Sequence, residues 1–385
     1  MLLNHNEQYW EDKNAIITAS EINQQPRLWR VLADELTERK EEIVAFMEKM
    51  ETVEGLRTAF TGAGSSAFIG EAIQKILGRE LGYHSETIHS TDVISYPEGE
   101  LFDVPTLLIS YARSGESPES VAAVKKAQEY VKELYNLVFV CKEGSSLYDY
   151  GSSLDDSLVL LMPEGSSDRG FAMTSSVSCM MLATYVVFGY REFDERCAFL
   201  RDLADSVEAQ MDGFDELAAK AASWDYDRCI FLGLGGLKGL AHEASIKTME
   251  LTNGAVMTNY EGSTGFRHGP KTVIKEKTLT VHLISEDPFT KQYDLDLLNE
   301  VNQERKGNKT LVLTEKKNAE AVNGSNDVIL YSGIEGSYSE MSSYINCLII
   351  LQLLSLEKSV SLGCRTDSPS VGGEVNRVVK GVVIH

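Results

Sequence analysis

Short apolar runs that end in glycine or serine recur along the chain. Each is followed by a stretch long enough for a helix. Residues 59–64 read Ala-Phe-Thr-Gly-Ala-Gly, and residues 230–235 read Ile-Phe-Leu-Gly-Leu-Gly, which places Gly62 and Gly233 171 positions apart. Further runs follow in the same order: 106–110 matches 279–284, 137–141 matches 311–314, and 158–161 matches 328–331. Each half then closes on an apolar run of helix length, 177–187 and 344–354. Four strand-like runs in one order at a near-constant offset imply an internal duplication.

The runs are β-branched-rich and almost continuously apolar, as expected of parallel strands buried on both faces. Helical segments at 69–81, 118–135 and 242–251 separate them, and alternating strands and helices predict open parallel sheets flanked by helices. The first 50 residues form a helical N-terminal extension in this reading, with good 3.6-residue periodicity over 27–50, and 190–223 forms a helical connector.

Composition narrows the function. The chain has 385 residues, enough for two or three domains at about 150 each. Lys and Arg number 36 against 58 Asp and Glu, a net charge of −22. That balance argues against nucleic acid and against an anionic membrane as partner. No basic segment leads into an apolar run at the N-terminus, so no signal peptide is expected. The most apolar stretches, 179–190 and 348–356, fall short of the roughly 20 residues of a spanning helix. Cys141, Cys179, Cys197, Cys229, Cys347 and Cys364 are scattered without a CxxC pair, which suits reduced thiols in the cytoplasm. No His cluster has ligand spacing, so no metal and no cofactor is expected. His242 reads as structural. His5, His84, His89, His282 and His385 have no evident partner in the sequence.

Two turns in the first half carry candidate chemistry: Gly62-Ala63-Gly64-Ser65-Ser66, and 110–118 with Arg113-Ser114-Gly115-Glu116-Ser117. Both follow a strand and precede a helix. Glycine admits a close ligand, while hydroxyls and helix N-terminal N–H groups hold phosphate oxygens. A plainer reading makes Ser114 or Ser117 an N-cap, with Pro118 at the first helical position. A rival reading takes Gly62-x-Gly64-x-x-Ala67 as a dinucleotide fingerprint with Glu86 as the ribose-binding acid. That fingerprint explains neither the second serine loop nor the duplication.

Together these features resemble the sugar isomerase (SIS) fold in tandem over about residues 50–385. The implied class is α/β: two tandem SIS domains, each a parallel sheet flanked by helices. The division is extension 1–50, first domain 51–200, and second domain 201–385 with a C-terminal catalytic tail. The isomerase half of glucosamine-6-phosphate synthase supplies the comparison. Ser114-Gly115-Glu116-Ser117 resembles its Ser-Gly-Glu-Thr phosphate loop, and Ser66 falls at the serine of its Cys-Gly-Thr-Ser turn. Ala112-Arg113 departs from its Ser-Gln, leaving Arg113 as either a bidentate phosphate ligand or a surface arginine. Ala172-Met173-Thr174 resembles its Ala-Phe-Thr, which places Thr174 at the site. Residues 242–250 resemble its helix Glu-Gly-Ala-Leu-Lys-Leu-Lys-Glu, with Glu243, Lys247 and Glu250 at the two acids and the lysine. Phe266-Arg267-His268-Gly269-Pro270 resembles Leu-Lys-His-Gly-Pro, and Lys380 matches the lysine of its C-terminal tail.

The long extension, the Ser-Gly-Glu-Ser-Pro-Glu-Ser loop and the Tyr-Glu-Gly-Ser-Thr-Gly-Phe-Arg-His-Gly-Pro segment are still more similar to the bacterial galactosamine-6-phosphate deaminase/isomerases, also called tagatose-6-phosphate ketose/aldose isomerases. The resemblance implies a deaminating isomerase that converts galactosamine 6-phosphate to tagatose 6-phosphate and ammonia. His268 would open the ring, Glu250 would move the proton between C2 and C1, and Lys247 would serve the neighbouring hydroxyl. Lys380 would form a Schiff base or neutralise the enolate, and Glu243 would handle the amine. Glu243, Lys247 and Glu250 share one helix face by spacing alone, and an ordinary solvated charge network has the same spacing. Two other functions remain: a plain aldose/ketose phosphate isomerase, and a phosphosugar-sensing module. The partners implied are a phosphorylated amino sugar or ketose and a second copy of the chain, as a homodimer or higher homo-oligomer with sites near the interface.

Overall fold

A computed structural model describes the chain except for residues 305, 323, 371, 373–374 and 378–381. The chain divides into two compact units. One comprises Arg27–Arg169, Met173–Arg201 and Gly373–His385; the other comprises Met1–Pro26, Gly170–Ala172 and Asp202–Gly372.

In chain order the N-terminal helices are α1 (Glu7–Asp12), α2 (Ile16–Asn23), α3 (Gln25–Glu38) and α4 (Lys40–Glu51). The first half follows with β1 (Arg57–Gly62), α5 (Ser65–Leu81), β2 (Ser85–His89), α6 (Ser90–Ser95), α7 (Pro97–Glu100), β3 (Thr106–Ala112), α8 (Pro118–Tyr130), β4 (Leu134–Val140), α9 (Ser146–Ser152), β5 (Ser157–Leu161) and α10 (Ser175–Phe188). Next come α11 (Phe193–Glu208) and α12 (Met211–Ala222). The second half contains β6 (Arg228–Leu232), α13 (Leu237–Leu251), β7 (Met257–Glu261), β8 (Thr278–Leu283), α14 (Pro288–Gln303), β9 (Lys309–Glu315), β10 (Asp327–Tyr331) and α15 (Ser339–Ser361).

Both sheets are parallel. Their orders are β2-β1-β3-β4-β5 and, read from the other edge, β7-β6-β8-β9-β10, so the two halves share one topology. The duplication read from four strands therefore extends to five. The missing pair is β2 and β7, Ser-Glu-Thr-Ile-His and Met-Thr-Asn-Tyr-Glu. Both are edge strands, and edges carry polar residues that break the apolar signature. The helix expected at 69–81 starts earlier, at Ser65, and the one expected at 118–135 ends at Tyr130, because residues from Leu134 onward enter β4.

In the first unit, Ala59, Leu108, Val138 and Val140 pack with Val93 and Val124 on one face of the sheet. On the opposite face Phe60, Tyr111 and Phe139 stack, and Tyr111 bonds Thr184 of α10 at 2.8 Å. Every residue of α10 is buried, so its sequence shows no amphipathic face. In the second unit, α15 is long and apolar enough to cross a membrane by length and composition, yet it is almost wholly buried, packed against α12, α13 and α2. The N-terminus of α2 is capped from 350 positions away: Asp367 accepts the N–H groups of Ile17 (3.0 Å) and Thr18 (2.8 Å). Ala15, in the N-cap position, has no side-chain oxygen to do this.

Candidate active site

In an open parallel sheet, ligands bind beyond the strand C-termini where the chain order reverses. In the first sheet that point lies between β1 and β3, and both predicted serine turns emerge there. Gly62 closes the first turn. A Cβ at this position would lie 2.7 Å from Ser66, so only glycine lets α5 start this tightly. Gly64 has φ +57, and Ser65 and Ser66 begin the helix, each 6% exposed. Ser66 Oγ touches Met173 Sδ at 3.8 Å.

In the second turn Gly115 has φ +64 with no room for a side chain, since a Cβ would come within 2.2 Å of Ser145 Oγ. Glu116 braces the loop through Lys142 (2.7 Å) and Ser146 (2.8 Å). Ser114 Oγ accepts the Glu116 N–H at 3.2 Å. Ser117 occupies the N-cap position of α8, but its side chain makes no capping bond. The matching residue in the second half is Asp287, which does cap, accepting the Thr290 N–H at 2.8 Å. Capping thus accounts for Asp287 and leaves the Ser117 hydroxyl to other partners.

Thr61, which the sequence reading missed, lies at the same point as Ser110, the first residue of the second predicted turn. The two are register partners near the C-terminal ends of β1 and β3, both buried, and neither hydroxyl has a hydrogen-bond partner among the described residues. The available signal for Thr61 was a hydroxyl beside the glycine that ends an otherwise apolar strand.

Arg113 is buried and donates from Nη2 to the Arg377 carbonyl at 2.8 Å; Arg377 in turn donates from Nε to the Asp168 carbonyl at 2.8 Å. Asp168 caps α10, accepting the N–H groups of Thr174 (2.9 Å), Ser175 (2.9 Å) and Ser176 (3.0 Å). Thr174 Oγ1 also donates to Asp168, at 2.8 Å. Thr174 therefore stands at a helix start with its hydroxyl engaged by a buried carboxylate.

In the second unit, α13 carries the predicted acid–lysine–acid face. Lys247 Nζ lies 2.6 Å from Glu250 Oε2 and 3.8 Å from Glu243 Oε1. The Lys247 and Glu243 side chains are 3% exposed, and Glu250 is 29% exposed. This is not the solvated network that the spacing alone allowed. One cation and one carboxylate are buried together, and the second carboxylate reaches the surface. Burying a charge is unfavourable unless it is paired. With the halves aligned on Gly62 and Gly233, the α5 residues at the Glu243 and Lys247 positions are Ala72 and Ile76, both fully buried. The second copy places charges where the first packs hydrocarbon.

His268 ends a 3-10 turn, Gly265–His268, and is exposed. Lys380 lies outside the described residues. Of the histidines without evident partners, His89 bonds Glu71 at 3.1 Å, His5 stacks on Tyr9 at 3.8 Å, and His282 is buried beside Thr280. Burial drives the His282 pKa down to about 3, so it stays neutral. His242 stacks on Tyr260 at 3.8 Å. Glu86 sits near the start of β2 and pairs with Arg57 at 2.5 Å, whereas a ribose-binding acid belongs at that strand's C-terminal end. The dinucleotide reading loses its acid. All six cysteines are free, five of them buried.

This arrangement, two parallel five-stranded sheets of one topology flanked by helices, defines an α/β protein of the double SIS class. No family model matches the chain. The D-galactosamine-6-phosphate deaminase AgaS of Escherichia coli is 37% identical over 96% of this chain and 95% of its own length. A Streptomyces coelicolor protein provisionally given the same name is 39% identical over 97% of this chain and 96% of its own. A Clostridium novyi NT structure, provisionally a tagatose-6-phosphate ketose/aldose isomerase, superposes with TM-score 0.94 at 36% identity, covering 100% of this chain and 99% of that one. The chain belongs to the galactosamine-6-phosphate deaminase (AgaS) family.

Proposed function

We propose that the protein converts galactosamine 6-phosphate and water to tagatose 6-phosphate and ammonia. The observation that carries this reading is Lys247, buried between Glu243 and Glu250 on one helix, in a chain related over nearly its full length to deaminases of that name. Ser66, Ser114, Ser117 and the N–H groups at the start of α5, with Gly64, Ser65 and Gly115 shaping the turns, hold the phosphate. Arg113 supports this set by holding the Arg377 carbonyl rather than by a free guanidinium. His268 opens the ring. Glu250, the more exposed of the two acids, takes the C2 proton and returns it to C1, while Lys247 serves the adjacent oxygen. The product of that transfer is a C2 ketimine. Water adds to it and ammonia leaves. Glu243 orients the amine, and Lys380 neutralises the developing negative charge. The enzyme works in the cytoplasm as a homodimer, which size-exclusion chromatography with light scattering tests.

The decisive assay couples ammonia release to galactosamine 6-phosphate, with glucosamine 6-phosphate and tagatose 6-phosphate run in parallel. Ammonia from an amino sugar supports the reading. Interconversion of aldose and ketose phosphates without ammonia from either amino sugar replaces it with the plain isomerase, whose acid, base and phosphate turns are the same.

A further inference from the structure

The His268 tip is held from one helix, α14. Phe266 is fully buried among Ile230, Leu232, Leu297 and Val301, the last two on α14. At the root of the loop, Ser263 Oγ donates to Asp294 Oδ1 at 2.5 Å, and the Ser285 N–H reaches Asp294 Oδ2 at 3.0 Å. Near the tip the two oxygens of Glu300 are divided. Arg267 Nε lies 2.7 Å from Oε2, and Lys271 Nζ bonds Oε1, while Glu304 holds Lys271 as well, at 2.8 Å. Arg267 immediately precedes His268, and Lys271 follows it by three residues. Between them the chain turns at Gly269, with φ +129. One carboxylate therefore grips the segment on both sides of the imidazole. Lys271 and then Arg267 hold the Glu300 carboxyl below the usual carboxylate range, so the grip is ionised at neutral pH.

We propose that Glu300 is a positioning residue for His268, setting where the ring projects by anchoring Arg267 and Lys271 together. The inference rests on the role given to His268 above. Glu300 is about one-third exposed, and ion pairs this accessible contribute little to folding. A clamp with so small a share in stability, placed around a proposed proton shuttle, is better explained by geometry: a displacement of about 1 Å costs on the order of 10²-fold in rate.

The test is a double-mutant cycle on the full chain: parent, Glu300→Gln, His268→Ala and the pair, with kcat, KM for the sugar phosphate and Tm measured for each. Glu300→Gln is expected to lower kcat roughly 10- to 100-fold with KM and Tm little changed. In the His268→Ala background it should cost nothing further. An equal loss in both backgrounds overturns the proposal, because a structural role would persist without the histidine. So does parental kcat in Glu300→Gln. Parental turnover in His268→Ala removes that residue from the reaction and the positioning role with it, while ammonia release by the parent enzyme still decides the deaminase reading separately.

Discussion

Replacing Glu250 with glutamine tests the proposed proton transfer most directly. The change removes one charge and keeps the shape. Lys247 Nζ, 2.6 Å from Oε2, retains an acceptor because the amide oxygen can occupy that position. The Glu250 side chain is 29% exposed, so the buried part of the pair, Lys247 with Glu243, stays in place. Because Glu243 still faces the buried Lys247 charge at 3.8 Å, the stability loss should stay below the roughly 3–5 kcal/mol of breaking a buried pair outright. The rate change is large. General-base catalysis contributes about 10²–10⁴-fold, equivalent to roughly 2.7–5.4 kcal/mol of transition-state stabilisation. Because the proposed phosphate ligands do not include Glu250, KM should move less than kcat. The assay is ammonia release, with solvent deuterium incorporation at C1 as a second readout of the transfer itself. Both should fall together. A well-folded Glu250→Gln enzyme within about threefold of parental turnover would refute the assignment and leave Glu243, Lys247 and Glu250 as a structural ion network.

Ser66→Ala and Ser114→Ala each remove a hydrogen bond to a charged group, worth about 1.5–3 kcal/mol, so KM should rise about tenfold or more with kcat little changed; unchanged KM in both places the phosphate elsewhere. Asp168→Ala takes away the buried acceptor of three α10 N–H groups and should lower stability by about 2–4 kcal/mol in urea unfolding. A loss under about 1 kcal/mol contradicts that capping role. Asp215 and Glu357 are buried carboxyls on α12 and α15, and Asn4 Nδ2 donates to Asp215 at 3.0 Å. Burial, then the neighbouring Asp215 charge, pushes Glu357 up to about 8, and burial raises Asp215 as well. Folded pKa values above the unfolded ones mean stability present in acid and lost as pH rises, so Tm should decline from the ordinary carboxylate range through pH about 8, and Glu357→Gln should flatten the slope. Parallel Tm–pH curves for parent and variant contradict this.

The sequence announced its central strands because a parallel strand buried on both faces reads as continuous hydrocarbon. It hid β2 and β7, whose outer edges meet water. It hid the Asp367 cap on α2 and the α14 grip on Arg267 and Lys271, because neither partner lies near the other in the chain and a carboxylate on a helix looks solvated until its neighbours are known. The N-terminal segment is a further case: its apolar period predicts helices, but not that Met1–Pro26 packs with the second half while α4 packs with the first.

What duplication makes legible is contrast. Two copies of one topology set the default for each position, and departures from that default mark where chemistry was placed. At the β1–α5 turn the first copy has Ser65 and Ser66 where the second has Gly236 and Leu237, so the hydroxyls belong to the first. On the following helix the first copy has buried Ala72 and Ile76 where the second has Glu243 and Lys247. Packing explains the alanine and isoleucine. It does not explain a buried lysine and glutamate, because an apolar pair of similar volume is at least as stable as a buried ion pair. A local rule broken at a stability cost, in one copy only, is the expected signature of a functional residue. The net charge of −22 then has no bearing on the proposed phosphate turns, whose groups are neutral hydroxyls and backbone N–H donors acting locally.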